Sequence, residues 1–535
     1  MVLRTITDGL FVTDDDGVIQ PYLVESVEPN DDYTEWTMDI RDGIFFHDGT
    51  PLDGAAVKYN IDTCRFSPLT GPAFLGLNDV TSDGQTVTMT YGTPEASGIA
   101  TLRSEVCGMM LSPTWMATLA NNPLYAAMSE EDLAELDLTG DPAAPVGVGP
   151  FKFESYTPGN GNSFIASRND DYWRGDGPNA VTGEGLPYLA EVELVVAVDI
   201  QGRSNGLRSG EFDIIHTANG DQIKKYEDEG EFKLLQANDF GETNHILLNT
   251  AVGESPTLAF VRGLNNLAMD PGGLNAGNPL VHLSCRRALA HATDQQRLAD
   301  ERYAGIVQVA NGPFPPGSIG YLEDTGYPSF DPEAAAADWE TCKADHGTTP
   351  VSFSFNSDND PFNIETNTLI VSMWNEAFGD EVNVSITPIE QGQFIGLALA
   401  GVFQAQGWRN HAGVDPSEQW YWWSSATASP IAPEIPELAL NLGRFQDAAM
   451  DEQFAIVRQN PDPAARQAAA EEINRLFAEN VWNFWTVWTL WGLVANPRVQ
   501  NITGLEYPEG GLTKPVLAGK HHLTQIWCLE GDCQG

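Results

Sequence analysis

Apolar and polar residues alternate in three segments of the chain, which is the pattern of half-buried β-strands. The alternating apolar positions are Val192, Leu194, Val196 and Val198, then Val351, Phe353 and Phe355, and then Val382, Val384 and Ile386. Between the last two segments, apolar residues from Leu369 to Phe378 recur at helical spacing, and Gly379 follows as a helix stop. Residues 351–387 therefore predict a strand–helix–strand unit whose two strands are parallel.

Three further segments carry helical patterns. Asp462 and Pro463 predict a helix start, as the N-cap and the first helical residue. The buried stripe of that helix would be Ala469, Ile473, Leu476 and Phe477. A second helix is predicted over about residues 283–303, and residues 397–406 have the pattern of a helix followed by a short strand. Strands that alternate with helices predict the α/β fold class.

The composition is strongly acidic and limits the possible partners. The chain has 535 residues, with 27 Lys and Arg against 75 Asp and Glu, and its formal net charge is −48. That length allows two or more domains. Nucleic acid is excluded as a partner because phosphate binding needs clustered cations. The acidic residues are spread along the whole chain, which indicates a solvating surface, and the 42% hydrophobic content excludes a disordered chain.

The most informative segment runs from residue 36 to residue 60 and contains Phe46-His47-Asp48-Gly49-Thr50-Pro51-Leu52 between a strand-like and a helix-like run. Asp48 and Gly49 have turn chemistry, because the carboxylate can accept bonds from nearby backbone and the glycine tolerates positive φ. His47 and Asp48 therefore read as turn residues and not as catalysts. Residues 147–153 (GVGPFKF), residues 285–294 (CRRALAHATD) and the Gly407-Trp408 pair provide three more motifs in order along the chain.

Together these motifs resemble those of the family 5 solute-binding proteins, the extracytoplasmic receptors of peptide, nickel and oligosaccharide ABC importers. The match over residues 36–60 departs from the family pattern at Ala56, where the family has Asp. The resemblance implies a two-lobed periplasmic-binding-protein fold that closes over its ligand and delivers it to a membrane permease. The first lobe would hold residues 1–248 and 487–535, with an accessory subdomain at about 22–145, and the second lobe residues 249–486. The crossovers near 248 and 487 would be hinges, and we expect a monomer.

Transmembrane and signal segments, together with the family resemblance, indicate where in the cell the protein is located. No run of about 18 apolar residues is present, so the sequence predicts no transmembrane helix. Neither a signal peptide nor a lipoprotein-type cysteine follows Met1. The resemblance implies an exported, periplasmic or cell-surface protein whose relatives begin with an export signal and an opening strand. We therefore expect that the sequence starts late.

Six cysteines suit an exported protein with disulfides. Cys528 and Cys533 are the best candidate pair, because Gly531 and Asp532 make a turn between them. Chain proximity and elimination then leave the pairs Cys285–Cys342 and Cys64–Cys107. The alternative is zinc held by Cys528, Cys533, His521 and His522, which the spacing disfavours because it fits no zinc-finger pattern.

The candidate ligand site is residues 407–416, which contain Trp408, Arg409, Asn410, His411 and Asp415. Loops after strands are where α/β proteins place ligands. Arg409 has the planar fork that suits a carboxylate or phosphate, or forms a surface salt bridge. Trp408 could stack on a ligand or pack in the core. In peptide-binding relatives, an Asp three residues after the Trp binds the free amine of the peptide; here that position is His411, and Asp415 could replace the lost carboxylate.

Further aromatic residues extend the list of candidates. Strand alternation over residues 420–423 would turn Trp420 and Trp422 to one side, and Trp422 is a candidate platform for sugars or aromatic groups. Asn356 and Phe11 are weaker candidates, at the end of a strand and in the family's early ligand-lining segment. A second tryptophan cluster, interleaved with apolar residues, is predicted to be core; it contains Trp482, Trp485, Trp488 and Trp491.

The sequence favours a solute receptor over an enzyme. It contains no G-x-S-x-G, H-E-x-x-H, P-loop or kinase motif. A secreted hydrolase acting on glycans or peptides stays open as the alternative, as does a sensor domain. The expected ligand is peptide-like, with an oligosaccharide or an opine-like conjugate as the alternative, since His411 stands where the amine-binding Asp is expected. No cofactor is expected, and a bare metal ion is disfavoured because the segment offers only His411 as a soft ligand.

Overall fold

The computed structural model describes residues 2–103, 107–126, 128–159, 163–239, 241–255, 267–411, 415–431, 438–516 and 518–529. The chain divides into two compact units: Met1–Ala218, Lys225–Asp239 and Trp491–Gly535 form the first, and Asn219–Lys224 and Phe240–Leu490 form the second. The second crossover is within a few residues of the predicted 487. The first precedes the predicted 248, because the Glu242–Leu248 strand is hydrogen-bonded into the sheet of the second unit.

The first unit begins with the region predicted as an accessory subdomain. It contains a four-stranded antiparallel sheet in the spatial order Val24–Pro29, Glu35–Ile40, Thr86–Tyr91 and Leu77–Asp83. The Gly54–Arg65 helix packs on two of these strands, and its N-cap Asp53 accepts a hydrogen bond from the backbone N–H of Ala56. Alternate strand residues and one helix face are fully buried against each other, including Met38, Val80, Val87, Met89, Val57 and Ile61. Hydrophobic burial thus holds this helix on its sheet.

The remaining strands of the first unit form small antiparallel sheets. They are Phe11–Thr13 with Ile19–Pro21, then Phe151–Tyr156, Ser163–Arg168 and Glu191–Val195, then Ile214–Thr217, Trp491–Ala495 and Lys233–Ala237, and Val499–Gln500 with Trp527–Cys528. Its α-helices are Val2–Ile6, Ala100–Arg103, Pro113–Met116, Glu130–Ala134 and Ile200–Ser209. The Gly220–Glu229 helix is divided between the two units.

The second unit is built on a five-stranded mixed sheet in the spatial order Val382–Ile389, Val351–Asp358, Ala405–His411, Glu242–Leu248 and Asn483–Trp488. The first three strands are parallel and the Glu242–Leu248 strand is antiparallel to both of its neighbours. A two-stranded sheet joins Glu254–Ser255 to Leu267–Ala268. Among its described residues, the α-helices are Leu283–His291, Gln295–Tyr303, Pro332–His346, Pro361–Phe378, Gln391–Ala400, Trp420–Trp423, Ala448–Gln459 and Pro463–Asn480.

Several local predictions are confirmed. Residues 351–389 form a strand, the Pro361–Phe378 helix and a parallel strand, and Val351, Phe353 and Phe355 are buried in alternation. Asp462 caps the Pro463–Asn480 helix by accepting a hydrogen bond from the backbone N–H of Ala464. All four predicted stripe residues of that helix are buried. Trp482, Trp485 and Trp488 lie in the core of the second unit, whereas Trp491 lies in the first unit.

Other local predictions are wrong. The strand expected through Val198 ends at Val195, because Val195 pairs with Ser163, the first residue of the neighbouring strand. The single helix expected over 283–303 is two helices, since the Asp294 carboxylate accepts a hydrogen bond from the backbone N–H of Arg297 and starts the second. Residues 420–423 form a short helix and not a strand, so Trp420 and Trp422 do not share a strand face.

Two disulfides join the pairs that chain proximity indicated, Cys64–Cys107 in the first unit and Cys285–Cys342 in the second. The latter links the Leu283–His291 helix to the Pro332–His346 helix. Cys528 is disulfide-bonded, and its predicted partner Cys533 lies outside the described residues. Within the described ranges, every helix is too short or too polar to cross a membrane.

Candidate functional site

A cavity of about 240 Å³ lies in the second unit at the carboxyl ends of the Val351–Asp358 and Ala405–His411 strands. The chain passes from the first of these strands to its outer neighbour, Val382–Ile389, and then returns to Ala405–His411 on the other side. The order of the strands therefore reverses between the two strands that flank the cavity. In open α/β sheets, such a switch point is the usual place for a ligand.

The walls of the cavity come from two helices that approach opposite sides of the Ala405–His411 strand. A Cβ built on Gly407 would lie 3.1 Å from the Asn367 amide nitrogen in the Pro361–Phe378 helix. The next residue, Trp408, stacks instead on Phe394 of the Gln391–Ala400 helix, with 5.7 Å between ring centroids. Successive strand residues point to opposite faces, so this edge of the strand presents one polar face and one aromatic face to the cavity.

A buried carboxylate lies beneath two basic side chains on the polar face. In the antiparallel register, Glu242 is opposite His411 and Asn244 is opposite Arg409. Glu242 is only 4% exposed, with its carboxylate oxygens 3.3 Å from Nη1 of Arg409 and 3.5 Å from Nδ1 of His411. The attraction of Glu242 raises the pKa of Arg409 above its usual value. The basic side chains remain more open to solvent, at 44% for Arg409 and 37% for His411.

A second carboxylate, Asp358, lines the same cavity. The Asn363 side-chain amide nitrogen donates to both of its oxygens, at 3.1 and 2.9 Å. Burial raises the pKa of Asp358, and the charge of Arg409 acts in the opposite direction. Tyr303 is also in the lining, and burial raises the pKa of its hydroxyl to about 12 although Arg409 again opposes the shift. Arg409 is thus electrostatically coupled to each of these cavity groups.

Hydrogen bonds fix the aromatic face. The Trp408 indole N–H donates to the Asn410 side-chain oxygen at 2.9 Å, and the Gln406 amide donates to the carbonyl of Phe394 at 2.9 Å. The cavity therefore combines one exposed guanidinium, two carboxylates, a hydroxyl and a flat apolar wall. This arrangement can orient a small charged solute by hydrogen bonds and ion pairs. Among the residues that the structure describes, no group of three or more His, Cys, Asp and Glu could hold a metal ion.

The structure brings together only part of the predicted site. Trp408, Arg409 and His411 line the cavity, and Asn410 adjoins it through its bond with Trp408. These residues belong to a strand and not to the loop that the sequence predicted. Residues 412–414 of the candidate segment lie outside the described residues.

The other predicted residues have contacts away from the cavity lining. Asp415 accepts from the backbone N–H of Ser417 at 2.9 Å and forms an ion pair with Arg466. Asn356 is buried and donates to the Gln406 side chain at 3.3 Å. Trp422 is half-buried beside Tyr421, with 5.2 Å between ring centroids. Phe11 is 3% exposed in the core of the first unit.

Sequence reasoning missed Glu242, Asp358 and Tyr303, which strand pairing and helix packing bring to the cavity from distant parts of the chain. One signal was available for Glu242. It alternates with Asn244 and Ile246 at the start of a strand that ends in the apolar run Ile246-Leu247-Leu248. Polar residues at alternate positions of an otherwise buried strand mark a place where one face meets solvent or ligand.

Comparison with known proteins identifies the family. The model of the bacterial extracellular solute-binding proteins, family 5 (Middle), matches residues 18–430. Among curated proteins, the nickel-binding protein NikA of Staphylococcus aureus is 24% identical over 308 residues, covering 57% of this chain and 50% of the relative. The probable D,D-dipeptide-binding periplasmic protein DdpA of Escherichia coli is 26% identical over 343 residues, covering 63% and 55%. The chain thus spans about half the length of the curated relatives it matches.

Solved structures show the fold. The periplasmic binding protein AgaA from A. tumefacien R10, in complex with agropinic acid, has a TM-score of 0.75 at 20% identity and covers 99% of this chain and 94% of its own. The chain has the α/β fold of the periplasmic binding proteins. Since the family model matches well over half of the residues, the chain belongs to the bacterial extracellular solute-binding proteins of family 5.

Proposed function

We propose that this protein is the solute receptor of an ABC importer and binds a peptide-like solute in the cavity at the ends of the Val351–Asp358 and Ala405–His411 strands. The observation that carries the proposal is the lining of that cavity, in which Arg409 and two carboxylates stand beside the stacked Trp408–Phe394 pair. Charged groups that fix the ends of a solute, together with an apolar wall, suit a small peptide or amino-acid conjugate. No bond is made or broken in this function.

The relatives support organic solutes that carry charged groups. DdpA is named for D,D-dipeptides and AgaA was solved with agropinic acid, whereas NikA is named for nickel. For this chain, the opine-like conjugate is the stronger alternative to a simple peptide, because basic His411 stands where the resemblance implies an amine-binding Asp. The oligosaccharide alternative loses support, since Trp420 and Trp423 are buried in the core and only Trp422 is half-exposed.

The proposal includes an exported monomer that hands its solute to a membrane permease and performs no catalysis. Disulfides at Cys64–Cys107 and Cys285–Cys342 support an oxidising location outside the cytoplasm. The importer class follows from the family, whose members are extracellular solute-binding proteins. A secreted hydrolase is the competing proposal, and it requires turnover of a substrate.

Thermal unfolding of the purified protein against peptides, opine-like conjugates and oligosaccharides tests the proposal. A solute at 100 times its Kd adds about 2.7 kcal/mol to the free energy of unfolding, which raises the Tm measurably. We expect a shift with peptides or amino-acid conjugates, and recovery of the same solute unchanged after incubation. Cleavage of the solute would favour the hydrolase. A panel without any Tm shift would contradict the receptor proposal.

A further inference from the structure

We propose that the cavity selects an α-amino-acid head group, in which an ammonium and a carboxylate are on the same carbon, and binds the carboxylate at Arg409 and the ammonium at Asp358. The solute would be an amino acid conjugated through its side chain, and not a peptide joined through its α-carboxylate. This inference rests on the proposed function and names the class of solute for that site. It depends on the charges, the lining residues and the size of the cavity.

The cationic half of the recognition is Arg409. Its side chain is 44% exposed and lines the cavity, whereas its ion-pair partner Glu242 is 4% exposed beneath it. The buried carboxylate of Glu242 holds the Arg409 guanidinium in a fixed place. Because Arg409 is the more exposed of the two, a solute in the cavity would meet the cation. A guanidinium is a planar fork of N–H donors that matches a carboxylate with two parallel hydrogen bonds. His411, on the other side of Glu242, is a second basic group at this end of the cavity.

The anionic half is Asp358, which ends the neighbouring strand. The backbone N–H of Asp360 and the side-chain amide of Asn363 donate to its carboxylate and hold it in place. An ionised carboxylate has about four acceptor sites, so it can accept a further bond from an ammonium. Asp358 is half-buried, and an ammonium there would be bound in surroundings where the interaction is stronger than in bulk water.

The cavity brings the two halves together. Asp358 and Arg409 lie near the carboxyl ends of neighbouring strands, and both line the cavity. The charge of Arg409 acts to lower the pKa of Asp358, and the charge of Asp358 acts to raise that of Arg409, so the two groups interact across the cavity. Opposite charges on neighbouring strands match an ammonium and a carboxylate that share one carbon. An α-linked peptide holds its two charged ends farther apart, by roughly 3.5 Å for each added residue.

The size of the cavity fits the same conclusion. A volume of about 240 Å³ is below the roughly 300–1,000 Å³ of sites that enclose a whole drug-sized ligand. The cavity therefore suits one end of a solute. The stacked Trp408 and Phe394 rings provide an apolar wall along which the side chain of the head group would lie.

Two isomeric dipeptides test the inference on the unaltered protein. γ-Glutamyl-alanine has its free ammonium and carboxylate on one carbon, whereas α-glutamyl-alanine has the same atoms and net charge but separates these groups. Calorimetric titration should show tighter binding of the γ isomer by roughly 10- to 100-fold, the range for charge-assisted hydrogen bonds. Conversion of the α-carboxylate of γ-glutamyl-alanine to its amide should remove the preference. Equal or tighter binding of the α isomer overturns the inference.

Substitutions then test which side chain binds the carboxylate of the solute and which binds its ammonium. Arg409→Gln should bind γ-glutamyl-alanine and its amide equally. The unaltered protein should bind γ-glutamyl-alanine more tightly than N-acetyl-γ-glutamyl-alanine, which lacks the ammonium, and Asp358→Asn should bind these two compounds equally. Arg409→Lys keeps the charge over Glu242 and tests the fork if the glutamine variant does not fold. Arg475→Gln is the matched control, because Arg475 is in the same unit, is 48% exposed and is ion-paired, but lies outside the cavity lining. A γ preference that survives Arg409→Gln overturns the assignment.

The two proposals fail differently. If α-linked peptides or oligosaccharides bind and γ-linked compounds do not, the head-group inference is wrong and the receptor function stands. If no solute of the wider panel binds, both are wrong.

Discussion

The longest motif of the family resemblance, residues 36–60, and the cavity that we propose as the binding site lie in different units and differ in how their polar groups are used. In the first unit, the backbone N–H of His47 donates to the Gly147 carbonyl at 2.8 Å, and the His47 ring nitrogen Nε2 lies 3.0 Å from the Gly149 carbonyl oxygen. Asp48 accepts hydrogen bonds from Thr50 and Ser112. In the second unit, Arg409, His411 and Asp358 line a cavity.

The difference explains why the family is easier to recognise than the ligand. The resembling motifs of the first unit bond to one another, so His47 serves the fold, as its turn chemistry predicted. Such bonds can be shared by receptors for different solutes. At the cavity, by contrast, this chain departs from the family pattern at His411, and the neighbouring charges come from Glu242 and Asp358. Substitutions in each region should therefore separate polar residues that stabilise the fold from polar residues that bind the solute.

The largest effect is expected from Gly149→Ala in the first unit. An added Cβ would lie 2.5 Å from the carbonyl carbon of Ile6 and 2.6 Å from the backbone nitrogen of Thr7, so the backbone must move. Overpacking of this kind lowers the free energy of unfolding by about 3 kcal/mol, which urea denaturation would measure. Gly396→Ala is the control, since nothing lies within 4 Å of its Cβ and alanine favours its helix. Unchanged stability of Gly149→Ala would contradict the structural role of this motif.

The next effect concerns pH and a buried residue in the wall of the cavity. His245 is 2% exposed in the strand that contains Glu242, and its ring is 4.9 Å from that of Trp485. Burial lowers the pKa of His245 to about 3 in the folded protein. The unfolded chain therefore binds the proton first, and stability present above about pH 6.5 is lost as the pH falls towards 3.

Between pH 7 and pH 5 this loss amounts to about 2 kcal/mol. His245→Phe keeps an aromatic ring in the same place and removes the titrating group, so its stability should fall less over that interval. Chemical denaturation of both proteins at the two pH values measures the difference. All other histidines are the same in the two proteins, so their contributions cancel. Parallel pH profiles would show that His245 is not protonated selectively in the unfolded chain.

An effect on stability of similar size is expected at Asp415, the residue that the sequence offered as a substitute for the missing carboxylate. It is ion-paired with Arg466, the side chains are 16% and 17% exposed, and it caps the short helix at Pro416–Gln419. Asp415→Ala should lower the free energy of unfolding by about 2 kcal/mol and leave solute affinity unchanged. Arg466→Met should have a similar effect, and the double variant should cost less than the sum. A tenfold loss of affinity at full stability would restore Asp415 as a ligand residue.

Local elements with a capping or periodic signal could be predicted from the sequence, and those fixed by tertiary contacts could not. Asp462-Pro463 marks a helix start, and the 351–389 unit alternates as a parallel strand pair must. Asp294 has the same capping chemistry, but it lies inside a continuous helical pattern, which hides the break between the two helices. The aromatic run Trp420–Trp423 has no polar residues at alternate positions. Its sequence pattern therefore cannot distinguish a strand from the short helix that it forms.

The residues of the candidate site also fall into those that have a signal in the sequence and those that only tertiary contacts bring to the cavity. Trp408, Arg409 and His411 could be found because they follow one motif in sequence. Asp358 and Tyr303 could not, because only the order of the strands and the packing of the Gln295–Tyr303 helix bring them to the cavity. A sequence-adjacent charge such as Asp415 was the natural substitute, and it is instead paired with Arg466.

The smallest effect is expected from substitutions of two tryptophans of the second unit, one in the cavity lining and one outside it. Trp408→Phe keeps a flat apolar ring against Phe394 and removes the indole N–H that donates to Asn410 at 2.9 Å. The smaller ring also removes part of the apolar wall against which the solute would lie; about 40 Å² of lost contact is worth about 1 kcal/mol, so the affinity for the best solute of the panel should fall about fivefold in calorimetric titration. Trp422→Phe is the matched control, because Trp422 is half-buried but contributes nothing to the cavity lining, and it should leave the affinity unchanged. If Trp422→Phe weakened binding more than Trp408→Phe, the aromatic wall of the binding site would have to be sought at residues 420–423, and the cavity beside Arg409 would lose its claim to the solute.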